Sequence, residues 1–249
     1  MKRIKHLLLL LILCSITARA IPPLPPDFRI KKYGFSFAGS GVISFFKVDT
    51  RHSEAAKMRP GMGGIFRLEF YPAPNIHLQF GLEMLSQGCR FNTYYFAPGY
   101  STLYDRSFGY THTLRTLELY LPVIVRIGLK PMENDARTIF YFLAGYSPKL
   151  FLSSNTSITQ NETGKSIWDG STELDYEYQF LGAQTGNVMI GGIGLDKRIR
   201  FEEKFISYEL IFRYNLSRFN YHGRIGIDNT NDLLMKNCCI NFQVGYRFQ

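Results

Sequence analysis

Ile240, Phe242, Val244, Tyr246 and Phe248 occupy every second position near the end of the chain, and Asn241, Gln243, Gly245, Arg247 and Gln249 fill the places between. A period of two puts successive side chains on opposite faces of an extended chain, so this run predicts a strand with one aromatic face and one polar face. The same alternation recurs upstream. Phe66, Leu68 and Phe70 oppose Arg67 and Glu69, and Ile76, Leu78, Phe80, Leu82 and Met84 oppose His77, Gln79, Gly81, Glu83 and Leu85. The clearest case is Leu117, Leu119, Leu121, Val123, Val125, Ile127 and Leu129 against Glu118, Tyr120, Ile124, Arg126 and Lys130. Tyr208, Leu210, Phe212, Tyr214 and Leu216 oppose Glu209, Ile211, Arg213, Asn215 and Ser217. Strands are predicted at about 33–47, 63–71, 76–91, 113–130, 138–152, 187–199, 208–217 and 238–249. Pro122 falls on the polar face of the fourth and predicts a bulge there.

The segments between these eight strands alternate long and short. Pro72–Asn75, Pro131–Arg137 and Arg200–Lys204 are short, whereas Asp49–Pro60, Asn92–Thr111, Ser153–Gln184 and Arg218–Lys236 are long. Short turns on one side and long loops on the other, with an aromatic residue one place from the chain end, predict an all-β, eight-stranded antiparallel up-and-down transmembrane β-barrel. Alternation alone also fits a soluble barrel with its apolar face inside. Three features favour lipid outside: the loop asymmetry, apolar runs long enough to span a tilted strand's path through hydrocarbon, and a polar face carrying both charge signs. Arg67, Glu69, Glu83, Glu118, Arg126, Glu209, Arg213 and Arg247 are accordingly expected as barrel-interior charges. An eight-stranded barrel is just wide enough for side chains to fill it, so these charges are expected to pair and plug the interior.

The ends of the chain set its destination. Lys2, Arg3 and Lys5 precede the apolar run 7–13, and Ala18-Arg19-Ala20 forms an A-x-A site, which reads as a signal peptide over residues 1–20 cleaved after Ala20. Leu13 is too large for the lipobox that would make Cys14 an acylation site. Pro22, Pro23, Pro25 and Pro26 make residues 21–32 an extended leader, and 33–249 is read as one barrel domain. The 249-residue chain has a formal net charge of +9. Removing the signal leaves 25 basic against 20 acidic residues, a net of +5. No cluster of Lys and Arg with interleaved aromatics appears, so the sequence gives no reason to expect nucleic acid. Mean hydropathy is −0.10, a value that alternation produces in a membrane barrel as readily as in a soluble domain. Cys89, Cys238 and Cys239 remain after cleavage, an odd number without metal-ligand spacing, and no cofactor or metal is expected.

The segments Leu78–Gly88, Leu119–Arg126, Gly192–Gly194, Glu209–Asn215 and Gly245–Phe248 follow one another in an order that resembles the PorT-type outer-membrane β-barrel family of Bacteroidetes. Leu119-Tyr120-Leu121-Pro122-Val123-Ile124-Val125-Arg126 is similar to that family's central Y-L-E-I-P-L-L-L-K segment, with Tyr120 in place of its Glu and Glu118 two residues further back. Leu78–Gly88 resembles its E-L-x-Y-S-x-x-G strand, Gly192-Ile193-Gly194 its G-x-G strand, Glu209–Asn215 its L-x-L-R-Y-N strand and Gly245–Phe248 its ending. The likeness covers most of residues 33–249. It implies the barrel fold and the outer membrane, and no catalytic residues. It implies outer-membrane lipid and, during insertion, the barrel-assembly machinery as partners. The family's name-giving member belongs to a type IX secretion apparatus, a role that general likeness does not confer.

Some eight-stranded outer-membrane barrels modify lipids with a His, a Ser and an acid near the outer rim. His52, His112 and His222 fall in or beside the long loops, with Ser53, Ser101, Ser107, Asp105 and Asp228 near them in sequence. No spacing among them makes a triad, and polar loops contain such residues by chance, so no enzyme is expected. Asn155 and Asn161 head sequons in form alone. Tyr94, Tyr95, Tyr100, Tyr104 and Tyr110 crowd one long loop; Tyr94, Tyr95 and Tyr110 are expected in the headgroup belt. The resulting expectation is a barrel with a packed polar interior and a structural or binding role carried by its outer loops. The alternatives are a secretion component working through surface partners, a small-solute channel, and a rim-site lipid-modifying enzyme.

Overall fold

The computed structural model describes residues 33–49, 56–94, 109–129, 138–161, 163, 166–171, 174–176, 185–199, 204–222 and 232–248. The expected signal and leader lie outside these residues, as do His52, Ser53, Tyr95, Tyr100, Ser101, Tyr104, Asp105, Ser107 and Asp228. The strands are β1 (Tyr33–Asp49), β2 (Lys57–Ala73), β3 (Ile76–Tyr94), β4 (Gly109–Tyr120), β5 (Val123–Gly128), β6 (Thr138–Gln160), β7 (Ser166–Ser171), β8 (Leu174–Tyr176), β9 (Thr185–Arg198), β10 (Lys204–Asn215), β11 (Phe219–His222) and β12 (Asp232–Phe248).

All of them join one antiparallel sheet, which closes because β1 pairs with β12 as well as with β2. The wall has eight staves in the order β1, β2, β3, β4 with β5, β6, β9, β10, β12. The fold is therefore an eight-stranded antiparallel transmembrane barrel. The expected fourth strand is two segments of one stave. Pro122 has no N–H to give the ladder, and the wall is stitched there by Gly81 N–H to Pro122 O at 3.3 Å and Leu121 N–H to Pro148 O at 3.0 Å. The bulge expected at Pro122 is not there: the pairing keeps its register across it, from Tyr120 opposite Lys149 to Val123 opposite Tyr146, and slips instead between Leu117 and Glu118, where β6 carries the extra residue. Strand β6 runs to Gln160, so Ser153–Gln160, expected as loop, is strand, and both sequon asparagines sit on or beside it. Three short strands, β7, β8 and β11, extend the sheet within regions read from sequence as loop.

The tilt of the wall can be counted from its register. Gly34 faces Glu69, then Gln79, Ile124, Gly145, Ile190, Arg213, Cys239 and finally Ser44. One circuit thus returns to β1 ten residues on, from position 34 to position 44. With ordinary strand rise and spacing, eight strands and this stagger give a tilt of roughly 40° and a Cα radius of about 8 Å.

Alternation decides what each face meets. Leu82 is 51% exposed and Phe242 55%, whereas Glu83 and Arg247 are fully buried. Exposed aromatic and aliphatic side chains recur round the wall: Phe37, Phe80, Phe142, Ile193 and Phe212 on five different strands. A water-soluble barrel would put this surface inside; here it forms an outer apolar belt, which only a hydrocarbon environment solvates well. On β1 the belt runs from Tyr33 to Phe45, about 30 Å of height at that rise and tilt. Phe35 stacks on Phe248 at 4.6 Å across the closing seam.

Candidate functional site

Among the described residues, buried polar and charged groups converge in the interior. Arg67, Glu69, Glu83, Glu118, Arg126, Glu209, Arg213 and Arg247 are all buried there. Two further buried charges complete the set: Lys149 on β6 and Asp196 on β9. Among the described residues the buried interior thus holds five cations (Arg67, Arg126, Lys149, Arg213, Arg247) and five carboxylates (Glu69, Glu83, Glu118, Asp196, Glu209). Sequence reading missed Lys149 and Asp196. Their signal was the same alternation, Ser147 with Lys149 and Gly192 and Gly194 with Asp196, but both strands carry apolar residues on either face.

The charges form a connected array. Arg67 gives Nε and Nη2 to Glu83 at 2.9 and 2.6 Å and Nη1 to Glu209 at 2.7 Å. Its Nη2 also reaches Gln243 at 2.8 Å. Arg213 closes on the other oxygen of Glu83. Toward the turn end, Arg126 holds both oxygens of Asp196 at 3.0 and 2.9 Å, and Arg247 reaches the same carboxylate at 2.6 Å. Tyr71 and Gln79 donate to Glu69 at 2.6 and 3.0 Å. Tyr141 donates to Glu209 at 3.0 Å, with the Arg126 guanidinium 3.6 Å above its ring. Toward the loop end, Lys149 and the Tyr120 hydroxyl meet Glu118 at 3.0 and 2.5 Å. Gln87 donates to both Glu118 and Tyr120 and accepts from Asn237 at 3.0 Å.

Apolar layers bound this array. Phe46, Cys89, Phe91, Leu114 and Met235 cluster under the long-loop end. Ile139 and Phe205 pack together at the turn end. A third cluster joins Val42, Leu85, Ile124, Leu143, Val188, Ile190 and Ile211 to Tyr120 and Tyr141 of the array. Dry layers above and below raise the cost of leaving any charge unpaired, which is why opposite charges must meet.

Backbone chemistry makes room for the long side chains. Tyr141 is directly opposite Gly194, and a Cβ at Gly194 would come within 2.5 Å of the Tyr141 ring. The ring lies over the bare glycine, and that pose carries its hydroxyl to Glu209.

The residues weighed for rim chemistry do not assemble. His112 is not on an outer loop: β4 begins earlier than expected, and the imidazole is buried, stacked on Phe91 at 4.8 Å with 5° between the planes. His222 ends β11. Tyr110 shares the inward face of His112 and Leu114, so alternation turns it from lipid, contrary to expectation. Among the described residues no group of three His, Cys, Asp or Glu is disposed to hold a metal, and no helix is long and apolar enough to cross a membrane. Cys89, Cys238 and Cys239 are free thiols.

No protein-family model matches the chain, and no curated protein matches it. Solved structures do. OprG, an outer membrane protein of Pseudomonas aeruginosa, is 11% identical with a TM-score of 0.49, over 88% of this chain and 96% of that one. Neisserial surface protein A is 10% identical with a TM-score of 0.40, over 86% and 96%. The outer membrane protease OmpT of Escherichia coli is 10% identical with a TM-score of 0.46, over 92% and 99%.

Proposed function

We propose that this chain is an outer-membrane β-barrel protein of PorT-like type, without enzymatic activity, whose closed barrel anchors a structural or binding surface made by its outer loops. The observation that carries the reading is the interior itself: five cations matched by five carboxylates, linked across the lumen and capped by apolar side chains. Such a core stabilises a wall; it leaves little space for a column of water. The signal-like residues 1–20 and the lipid-facing belt support export and insertion, and the motif order supports the PorT-like assignment within Bacteroidetes. The burial of His112 beneath a ring stack argues against a rim-site enzyme.

Fractionation of the native host, with surface proteolysis of intact cells, tests the placement. The protein should sediment with outer membranes, and cuts should fall in the long loops. Recovery in the soluble fraction would overturn the reading. Co-purification of a stable set of envelope proteins would move the role to a secretion assembly.

A further inference from the structure

The acidic side chains whose burial is described, Glu69, Glu83, Glu118, Asp196 and Glu209, turn inward. Basic side chains do not share that fate. Lys47, Lys57, Arg90 and Arg115 are exposed and Lys236 is half-buried. Arg90, Arg115 and Lys236 each sit between two buried neighbours, Cys89 and Phe91, Leu114 and Thr116, and Met235 and Asn237, and Lys47 follows buried Phe46 and shares the parity of exposed Phe45, which puts all four on the outer face. Lys57 joins them by register, opposite Arg90.

These five residues lie on five consecutive staves, β12, β1, β2, β3 and β4, at the end where the long loops begin. They stand directly above the apolar belt: Phe45 is the next outward position below Lys47, and Leu117 the next below Arg115. Two pairs face each other across the ladder with the same sign, Lys47 with Lys236 and Lys57 with Arg90. Like charges directly opposite are destabilising in a sheet. Among the side chains whose burial is described, these strands carry no acid on the outer face beside them. The wall therefore holds an arc of five outward cations at the height where hydrocarbon gives way to headgroups.

We infer that this arc binds the phosphorylated headgroups of outer-leaflet lipid, so that a partial collar of anionic lipid belongs to the working form of the barrel. The inference rests on the outer-membrane reading above. Phosphate suits the arc because each group can accept from two or three cations at once, and facing pairs such as Lys47 with Lys236 offer two donors to one phosphate. The apolar belt immediately below receives the acyl chains, which a free anion does not have.

The test uses the full-length folded barrel reconstituted in vesicles of phosphatidylcholine with a minor fraction of lipid A. Lipids retained on gentle detergent extraction are counted by native mass spectrometry. The unmodified protein should retain lipid A in preference to phosphatidylcholine. The combined variant Lys47→Gln, Arg90→Gln, Arg115→Gln and Lys236→Gln should lose that preference by roughly tenfold or more, since each cation near an anionic surface contributes appreciably. Lys197→Gln with Lys204→Gln, outward positions at the turn end, should leave it unchanged. Equal retention by the unmodified protein and the four-site variant overturns the inference, as does an equal loss in the turn-end variant. Displacement of lipid A by inorganic phosphate would reveal a free-anion site and also overturn it. Insertion into pure phosphatidylcholine is the separate control: if the unmodified barrel fails there, the membrane reading falls first.

Discussion

Arg213 and Glu83 are joined by an ion pair although their strands, β10 and β3, stand four apart in a ring of eight. They are diametrically opposed, and their side chains meet across the axis. A Cα radius of about 8 Å puts opposite walls about 16 Å apart, a gap that an arginine and a glutamate together can bridge. Arg67 then ties the same Glu83 to Glu209, so three strands are braced through one carboxylate. Without Arg213, Glu83 keeps Arg67, but the dry array has one carboxylate more than it has cations, and an uncompensated buried charge typically costs about 3–5 kcal/mol. Arg213→Ala should therefore lower the unfolding temperature of the detergent-solubilised barrel markedly, as read by heat-modifiability on gels. Arg213→Ala with Glu83→Gln, which restores the balance of charge, should recover part of the loss. A single variant as stable as the unmodified protein would mean that the array does not brace the wall.

The outer face responds to charge in the opposite sense. Phe212 and Phe80 are about half exposed, at 49% and 46%, within the apolar belt. Phe212→Arg or Phe80→Arg introduces an ion that hydrocarbon cannot solvate, at a cost of roughly 2–4 kcal/mol near the midplane. Folding yield into vesicles should fall for either variant. Lys197→Glu, at the exposed turn end, should fold normally. Full yield with Phe212→Arg would contradict a lipid-facing exterior.

Which parts of this fold were legible in the sequence follows from where alternation is clean. Strands such as β10, with Phe212 and Tyr214 outside and Arg213 and Asn215 inside, declare both faces at once. Strand β6 does not, because Ile139, Tyr141 and Leu143 face inward while Phe140 and Phe142 face outward. An eight-stave interior has room for an apolar layer, so inward no longer means polar, and Lys149 went unseen beside it. On β9 the glycines at 191, 192 and 194 erase the pattern, hiding Asp196. The polar stretch Ser153–Gln160 read as loop because a strand above the hydrocarbon needs no apolar face, and backbone pairing with β4 keeps it extended. The array itself was only half legible: sequence gave the balance of sign, and register determined which charges meet.

Gly194 offers a test of the interior that leaves every charge in place. Its Cβ-free surface receives the Tyr141 ring, whose hydroxyl holds Glu209. Gly194→Val should displace the ring and destabilise the barrel by about 1–3 kcal/mol, the usual cost of overpacking. Adding Tyr141→Ala should relieve the clash, so the double variant should be less destabilised than the sum of the two singles. Strict additivity in thermal unfolding would show that the ring does not depend on the glycine.

Export provides a prediction independent of the barrel. The basic start, apolar run and Ala18-Arg19-Ala20 predict cleavage after Ala20. Intact-mass analysis of protein purified from membranes should give a chain beginning at Ile21. A chain retaining Met1, or one starting at an acylated Cys14, would refute the signal reading.

Conductance tests the central claim most directly. Unmodified barrels inserted into a planar bilayer should show no steady single-channel current, and Glu118→Ala, which removes a carboxylate that Lys149 meets, should leave the bilayer equally silent while lowering thermal resistance. A steady current through the unmodified protein, with ion preference changed by Glu118→Ala or Arg213→Ala, would make these charges the lining of a pore and contradict a closed, braced interior.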